Sequence, residues 1–224
     1  MKKWLIVLFL ITGSAANATD ILVIGDSLSC GTFGQYLVQQ LTAWGHQVTL
    51  YCAVSSAPTH WLNGENPTGQ QCQTRTSADL TLQLCGGTGQ VPKLATLLSE
   101  YKGAAIIVAL GTNSLLSPTA DSTYDTMAKD VRTATSTCAW VGPPNLNPSQ
   151  SKGFPAGRLQ TEQNNLTSFY ASLPAAVGVD CSLIDSRAAT AAGTPGNQTV
   201  DGVHRTDAAG QYWVDQIATS LRPI

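Results

Sequence analysis

The sequence predicts a doubly wound α/β domain on a sheet of five parallel strands. Two observations carry that reading. Short apolar runs rich in β-branched residues alternate along the chain with segments of helical period, and the runs are mostly continuous, as in strands covered on both faces.

In chain order, Ile21-Leu22-Val23-Ile24 forms the first strand and ends at Gly25. Phe33, Leu37, Leu41 and Trp44 recur at helical spacing and stop at Gly45, a glycine placed as helix C-termini favour. A second strand spans 48–54. Residues 56–90 are rich in Gly, Asn, Thr, Gln, Ser and Pro and lack periodicity, so they read as a loop or subdomain inserted on the fold. Insertions of that length are usually functional. Val91-Pro92 opens a helix carrying Leu94, Leu97, Leu98 and Tyr101 on one face, and residues 104–110 make a third buried strand before Gly111. A helix around 121–136 leads to Cys138-Ala139-Trp140-Val141, the fourth strand, and then to a Pro-rich loop over 142–157. A fourth helix, a fifth strand near 181–184 and a last helix with Trp213, Ile217 and Leu221 at every fourth position complete the chain.

Composition limits the partners. Only 12% of the 224 residues are charged, with 12 Lys+Arg against 14 Asp+Glu, so no positive surplus exists to track a phosphate backbone and nucleic acid is not expected. Met1-Lys2-Lys3, an apolar run from Trp4 to Thr12 and Ala16-Asn17-Ala18 have the form of a secretory signal over residues 1–18. The run is too short to span a bilayer. Cleavage after Ala18 would remove two lysines and no acid, moving the formal charge from −2 to −4 and leaving one domain over 19–224. The exported chain would be secreted or periplasmic, without a membrane span. All six cysteines lie beyond residue 18, in a part bound for an oxidising compartment where disulfides persist. No C-x-x-C pair occurs and the three histidines are scattered, so no metal site is expected. The sequence specifies no oligomeric state.

In a parallel sheet of this kind, ligands bind beyond the carboxyl ends of the strands. Gly25-Asp26-Ser27-Leu28 follows the first strand, Ser55-Ser56 the second, Gly111-Thr112-Asn113 the third, and Asp201-Gly202-Val203-His204 comes after the fifth. A serine hydroxyl needs a base to attack at neutral pH, and a neutral imidazole is the usual one. His204 can serve, and Asp201 is spaced to reach its Nδ1 and fix the tautomer. The Asn113 amide and backbone N–H groups can receive an oxyanion. His46 precedes the second strand and sits at the opposite edge. His60 is the competing base and Asp185 the competing acid.

In order and spacing these blocks resemble the GDSL/SGNH hydrolases, across essentially the whole of 19–224. The resemblance implies a three-layer α/β/α flavodoxin-like sandwich with a five-stranded parallel sheet and a serine esterase site. It makes Ser27 the nucleophile and first oxyanion N–H, Asn113 the side-chain oxyanion donor, His204 the base and Asp201 its orienting acid. The family's second block supplies a glycine N–H to the oxyanion hole, where this chain reads Ala53-Val54-Ser55-Ser56-Ala57. Ser55 is the candidate, with Ser56 as the alternative. A serine there is comfortable at negative φ and strained at positive φ.

With the flavodoxin-like strand order, Cys30 and Cys52 meet near the site, Cys138 and Cys181 join the last two strands, and Cys72 and Cys85 staple the insertion. The implied reaction is hydrolysis of a small-molecule or glycan ester through an acyl-enzyme, with no cofactor. Trp61, Asn63 and Asn66 in the insertion suggest O-acetyl groups on a glycan as substrate. A lipolytic esterase or thioesterase, or a non-catalytic glycan-binding domain, is the alternative.

Overall fold

The structure, a computed structural model, describes residues 19–66, 69–178 and 180–224, so the signal segment expected at 1–18 lies outside the described residues. Its elements run β1 (Asp20–Gly25), α1 (Ser27–Cys30), α2 (Thr32–Ala43), β2 (Gln47–Ala53), α3 (Pro58–Asn63), β3 (Cys72–Thr76), β4 (Gln83–Leu84), α4 (Leu94–Glu100), β5 (Ala105–Ala109), α5 (Ser122–Ala134), β6 (Cys138–Val141), α6 (Ala156–Val177), β7 (Ser182–Ile184) and α7 (Asp207–Leu221). The helix expected from Val91-Pro92 starts at Leu94, with Lys93 as its N-cap.

The sheet has seven strands in the order β4-β3-β2-β1-β5-β6-β7, which corrects the expectation of five. The five apolar strands are parallel, as their continuous hydrophobic runs require, with register pairs such as Ile21↔Val48 and Ile21↔Ala105. The two extra strands come from the 56–90 insertion and run antiparallel, pairing Ala53 with Cys72 and Gln73 with Leu84. Cys-Gln-Thr-Arg-Thr and Gln-Leu carry almost no apolar signal. They hold as edge strands because backbone pairing with β2 orders them and a Cys72–Cys85 disulfide closes the hairpin. The other bridges are Cys30–Cys52, tying the turn after β1 to β2, and Cys138–Cys181, tying the start of β6 to the residue before β7.

Helices cover both faces. Helix α2 packs on α7, where Phe33 stacks on Trp213 with ring centroids 3.9 Å apart, while α3, α4 and α6 pack against α5. The largest fully buried side chains include Trp61, Trp140, Trp213, Tyr124 and Phe169. Trp61 therefore belongs to the core. Its indole N–H donates to Ser56 Oγ at 3.2 Å, and Asn66, 1% exposed, donates to the Val54 carbonyl. This corrects the reading of Trp61 and Asn66 as sugar contacts, since neither presents a surface. The chain winds left from β1 to β2 and right from β1 to β5, so the crevice of the fold opens above the ends of β1 and β5.

Candidate active site

Three polypeptide turns bring the expected residues together. At the end of β1, Asp26 caps α1 by accepting the Leu28 N–H on Oδ1 at 2.9 Å, which places Ser27 on the first position of a one-turn helix. Ahead of α7, residues 199–205 form a tight loop in which the Val200 N–H bonds the His204 carbonyl at 2.8 Å. Gly202 stands at its bend with φ +94. A Cβ there would lie 2.6 Å from Leu159 Cδ1 and 3.0 Å from the Asn147 carbonyl oxygen, so only glycine fits between Asp201 and His204.

The side chains form one continuous chain of hydrogen bonds. His204 Nε2 is 2.9 Å from Ser27 Oγ, and Nδ1 is 2.7 Å from Asp201 Oδ2. An ionised carboxylate only accepts, so Nδ1 carries the proton and Nε2 is left to accept from the serine hydroxyl. The other oxygen of Asp201, Oδ1, accepts the N–H groups of Val203 and His204 at 3.0 and 2.8 Å. Burial alone would raise the Asp201 carboxyl. The hydrogen bonds from His204 and Val203 and the charge of the imidazole outweigh it and hold the group below its usual range.

The 142–157 segment braces this loop. The Asn147 N–H donates to the Gly202 carbonyl at 2.8 Å, and Gln150 Oε1 accepts from both the N–H and hydroxyl of Thr199. Arg205 lies buried next to His204, bonded to the Asn145 carbonyl, and burial pulls its guanidinium down to about 10 against the opposing charge of Asp201. Nothing in the sequence marks Asn147 or Gln150 as supports of the site, because their partners lie about 50 residues away. Nor does anything in the sequence mark Asp26 as a buried carboxyl that caps α1.

The oxyanion candidates lie around the end of β2. Asn113 Nδ2 donates one hydrogen to the Ser56 carbonyl at 3.0 Å, which holds the amide against the Ser55-Ser56 turn and leaves its second N–H free. The backbone N–H groups of Ser27 and Ser55 have no partner among the described residues. Ser56 is excluded as the donor, since its N–H bonds the Ala53 carbonyl at 3.2 Å and its side chain is buried. Ser55 has φ +62 and is the one non-glycine residue among those described in the left-handed region. A serine held there is strained by about 1 kcal/mol relative to glycine. Ser55→Gly is therefore expected to raise the melting temperature by a few degrees with activity retained, as measured by thermal unfolding beside an ester hydrolysis assay.

The competing residues are occupied elsewhere. His60 Nδ1 accepts the Ala57 N–H at 2.9 Å, and burial lowers its pKa. His46 precedes β2, at the far edge. Asp185 makes a two-pronged ion pair with Arg187, with contacts from 2.6 to 3.0 Å.

No family model matches the chain, and no curated protein matches it. Solved structures do. The native aryl esterase of M. Smegmatis is 19% identical, with 92% of this chain and 99% of that one covered and a TM-score of 0.59. A carbohydrate acetylesterase from Sinorhizobium meliloti is 13% identical over 92% and 99% of the two chains, TM-score 0.58. A catalytic mutant of an acetylxylan esterase from Geobacillus stearothermophilus is 10% identical over 91% and 94%, TM-score 0.55. At these identities the likeness is one of fold, and the fold is of the GDSL/SGNH type that the sequence blocks resemble.

Proposed function

We propose that this chain is a serine esterase that cleaves carboxylic esters through an acyl-enzyme on Ser27. The observation that carries the reading is the hydrogen-bonded sequence Ser27–His204–Asp201, assembled from two chain segments 177 residues apart. His204 Nε2 takes the hydroxyl proton as Ser27 Oγ attacks the ester carbonyl. Asp201 holds the imidazole tautomer and stabilises the imidazolium. The developing oxyanion is received by the Ser27 and Ser55 N–H groups and the free N–H of Asn113. The imidazolium then protonates the departing alcohol, and a water, activated by the same base, releases the acid.

For the substrate we favour esters of small acyl groups on a hydroxyl-rich alcohol such as a glycan. Beside Val54, a groove of about 260 Å³ is lined by Gln70, Gln71, Gln73 and Thr88. These amide and hydroxyl groups suit a neutral, hydroxyl-bearing partner better than a lipid. Two of the solved structures of this fold come from proteins described as a carbohydrate acetylesterase and an acetylxylan esterase. Export fits the three disulfides, and among the described residues no helix is long and apolar enough to cross a membrane.

The test is hydrolysis of p-nitrophenyl acetate and octanoate, together with labelling by a fluorophosphonate. A labelled protein that prefers acetate is expected. Preference for octanoate would favour a lipolytic enzyme, and neither turnover nor labelling would favour a binding domain. Within the active enzyme, Asn113→Ala should lower kcat about 10²- to 10³-fold with little change in KM, because its free N–H meets charge that exists only in the transition state.

A further inference from the structure

The insertion touches the nucleophile helix through Arg75. Along the antiparallel pair of β2 and β3, Arg75 stands opposite Leu50 and Gln73 opposite Cys52, so these four side chains leave the sheet on one face. That is the face on which Cys52 bonds Cys30, the last residue of α1. Arg75 is 4% exposed, and its Nη2 donates to the Cys30 carbonyl at 2.5 Å. Its Nε is buried without a hydrogen-bond partner, and among the described residues no carboxylate pairs with it.

A guanidinium taken out of water with no acid to balance it costs the fold stability, and an apolar residue of similar volume would avoid that cost. What the cation holds is the end of the helix that begins with Ser27. A helix of one turn has too few internal bonds to fix its own axis, and its last carbonyls find no partner inside it. Asp26 secures the leading end through the Leu28 N–H, and Arg75 secures the trailing end through the Cys30 carbonyl. The Cys30–Cys52 bridge tethers a side chain, whereas the charged donor sets the direction of the peptide itself.

We propose that Arg75 is a positioning residue for Ser27: its guanidinium fixes the trailing end of α1 and so keeps Ser27 Oγ at 2.9 Å from His204 Nε2. The proposal rests on the esterase reading of Ser27. It gives the insertion a part in the reaction, since β3 lines the groove beside Val54 with Gln73 and braces the nucleophile two residues later with Arg75. A displacement of about 1 Å at a reacting atom can cost about 10²-fold in rate, so a brace at this point acts on kcat.

The experiment compares wild type, Arg75→Met and Arg75→Lys by kcat and KM for p-nitrophenyl acetate, with active sites counted by fluorophosphonate titration run to completion. Methionine keeps much of the stem and removes the donors. It is expected to lower kcat per titrated site about 10- to 100-fold with KM nearly unchanged, and lysine, a charged donor without the planar fork, to recover part of the loss. A role confined to stability would lower the melting temperature and the number of sites while kcat per site stayed at the wild-type value, and that outcome overturns the proposal. Should Arg75→Met fail to fold, Arg75→Lys decides: a fall in kcat per site with KM unmoved supports the brace, and wild-type kcat overturns it. Wild-type protein without Ser27-dependent hydrolysis would remove the esterase reading, and amide hydrogen exchange would still decide the brace. The Cys30 and Gly31 N–H groups, bonded to the Asp26 and Ser27 carbonyls, should exchange about tenfold faster relative to the amides of α7 in whichever variant folds. Unchanged relative rates overturn it.

Discussion

Ser27→Ala is expected to lower kcat/KM for p-nitrophenyl acetate by about 10⁴-fold or more, equivalent to roughly 5.5 kcal/mol of barrier, and to abolish fluorophosphonate labelling. The hydroxyl is the only atom lost. Among the described residues Ser27 Oγ bonds solely to His204 Nε2, so the substitution leaves the Asp201–His204 pair, the α1 cap and the Asn113 contact in place. Thermal stability should consequently change by less than about 1 kcal/mol. Some rate above water should survive, because the N–H groups of residues 27 and 55 and the Asn113 amide still offer an oxyanion site. Hydrolysis unchanged by the substitution would remove the serine mechanism, since among the described residues no other hydroxyl is in contact with His204 Nε2.

How much of this was legible in the sequence depends on what kind of interaction specifies each part. The five parallel strands announce themselves because both faces are buried and every residue must be apolar. Strands β3 and β4 do not, because an edge hairpin needs only backbone pairing and one disulfide, and Cys-Gln-Thr-Arg-Thr has no hydrophobic pattern to show. Ser27, Asn113 and Asp201–His204 could be located since each follows a strand on one edge, with chemistry matched to its neighbours. Trp61 was misread for the opposite reason. A tryptophan in a polar insertion has the same local sequence whether it faces water or folds under, and its burial is decided by Ser56, Gly25 and the core it meets. The left-handed φ of Ser55 is likewise a tertiary demand, visible in sequence only as a serine where the resembling family has glycine.

Asp201→Asn should cost about 10³- to 10⁴-fold in kcat with KM and fold nearly unchanged. In the native loop, Oδ1 accepts two backbone N–H groups while Oδ2 accepts Nδ1–H, so both oxygens work as acceptors. An asparagine can supply only one. The backbone donors of Val203 and His204 hold the carbonyl oxygen on their side, because turning the amide over would set its NH₂ against two N–H groups. The NH₂ then faces Nδ1 and donates to it. That forces the proton onto Nε2, where it points at Ser27 Oγ, and the imidazole cannot receive the hydroxyl proton it is placed to take. The same geometry gives the acid side of the stability curve a sign. Because Asp201 is held below the ordinary 3.8, its ionisation stabilises the fold above that value and the contribution is lost as pH falls through the lower folded value. Asp201→Asn removes this contribution, so the melting temperatures of the two proteins should draw together below about pH 4 while their turnover at neutral pH stays far apart. Equal turnover at pH 7 would show that the carboxylate has no part in setting the tautomer, and the mechanism would then have to stand on Ser27 and His204 alone.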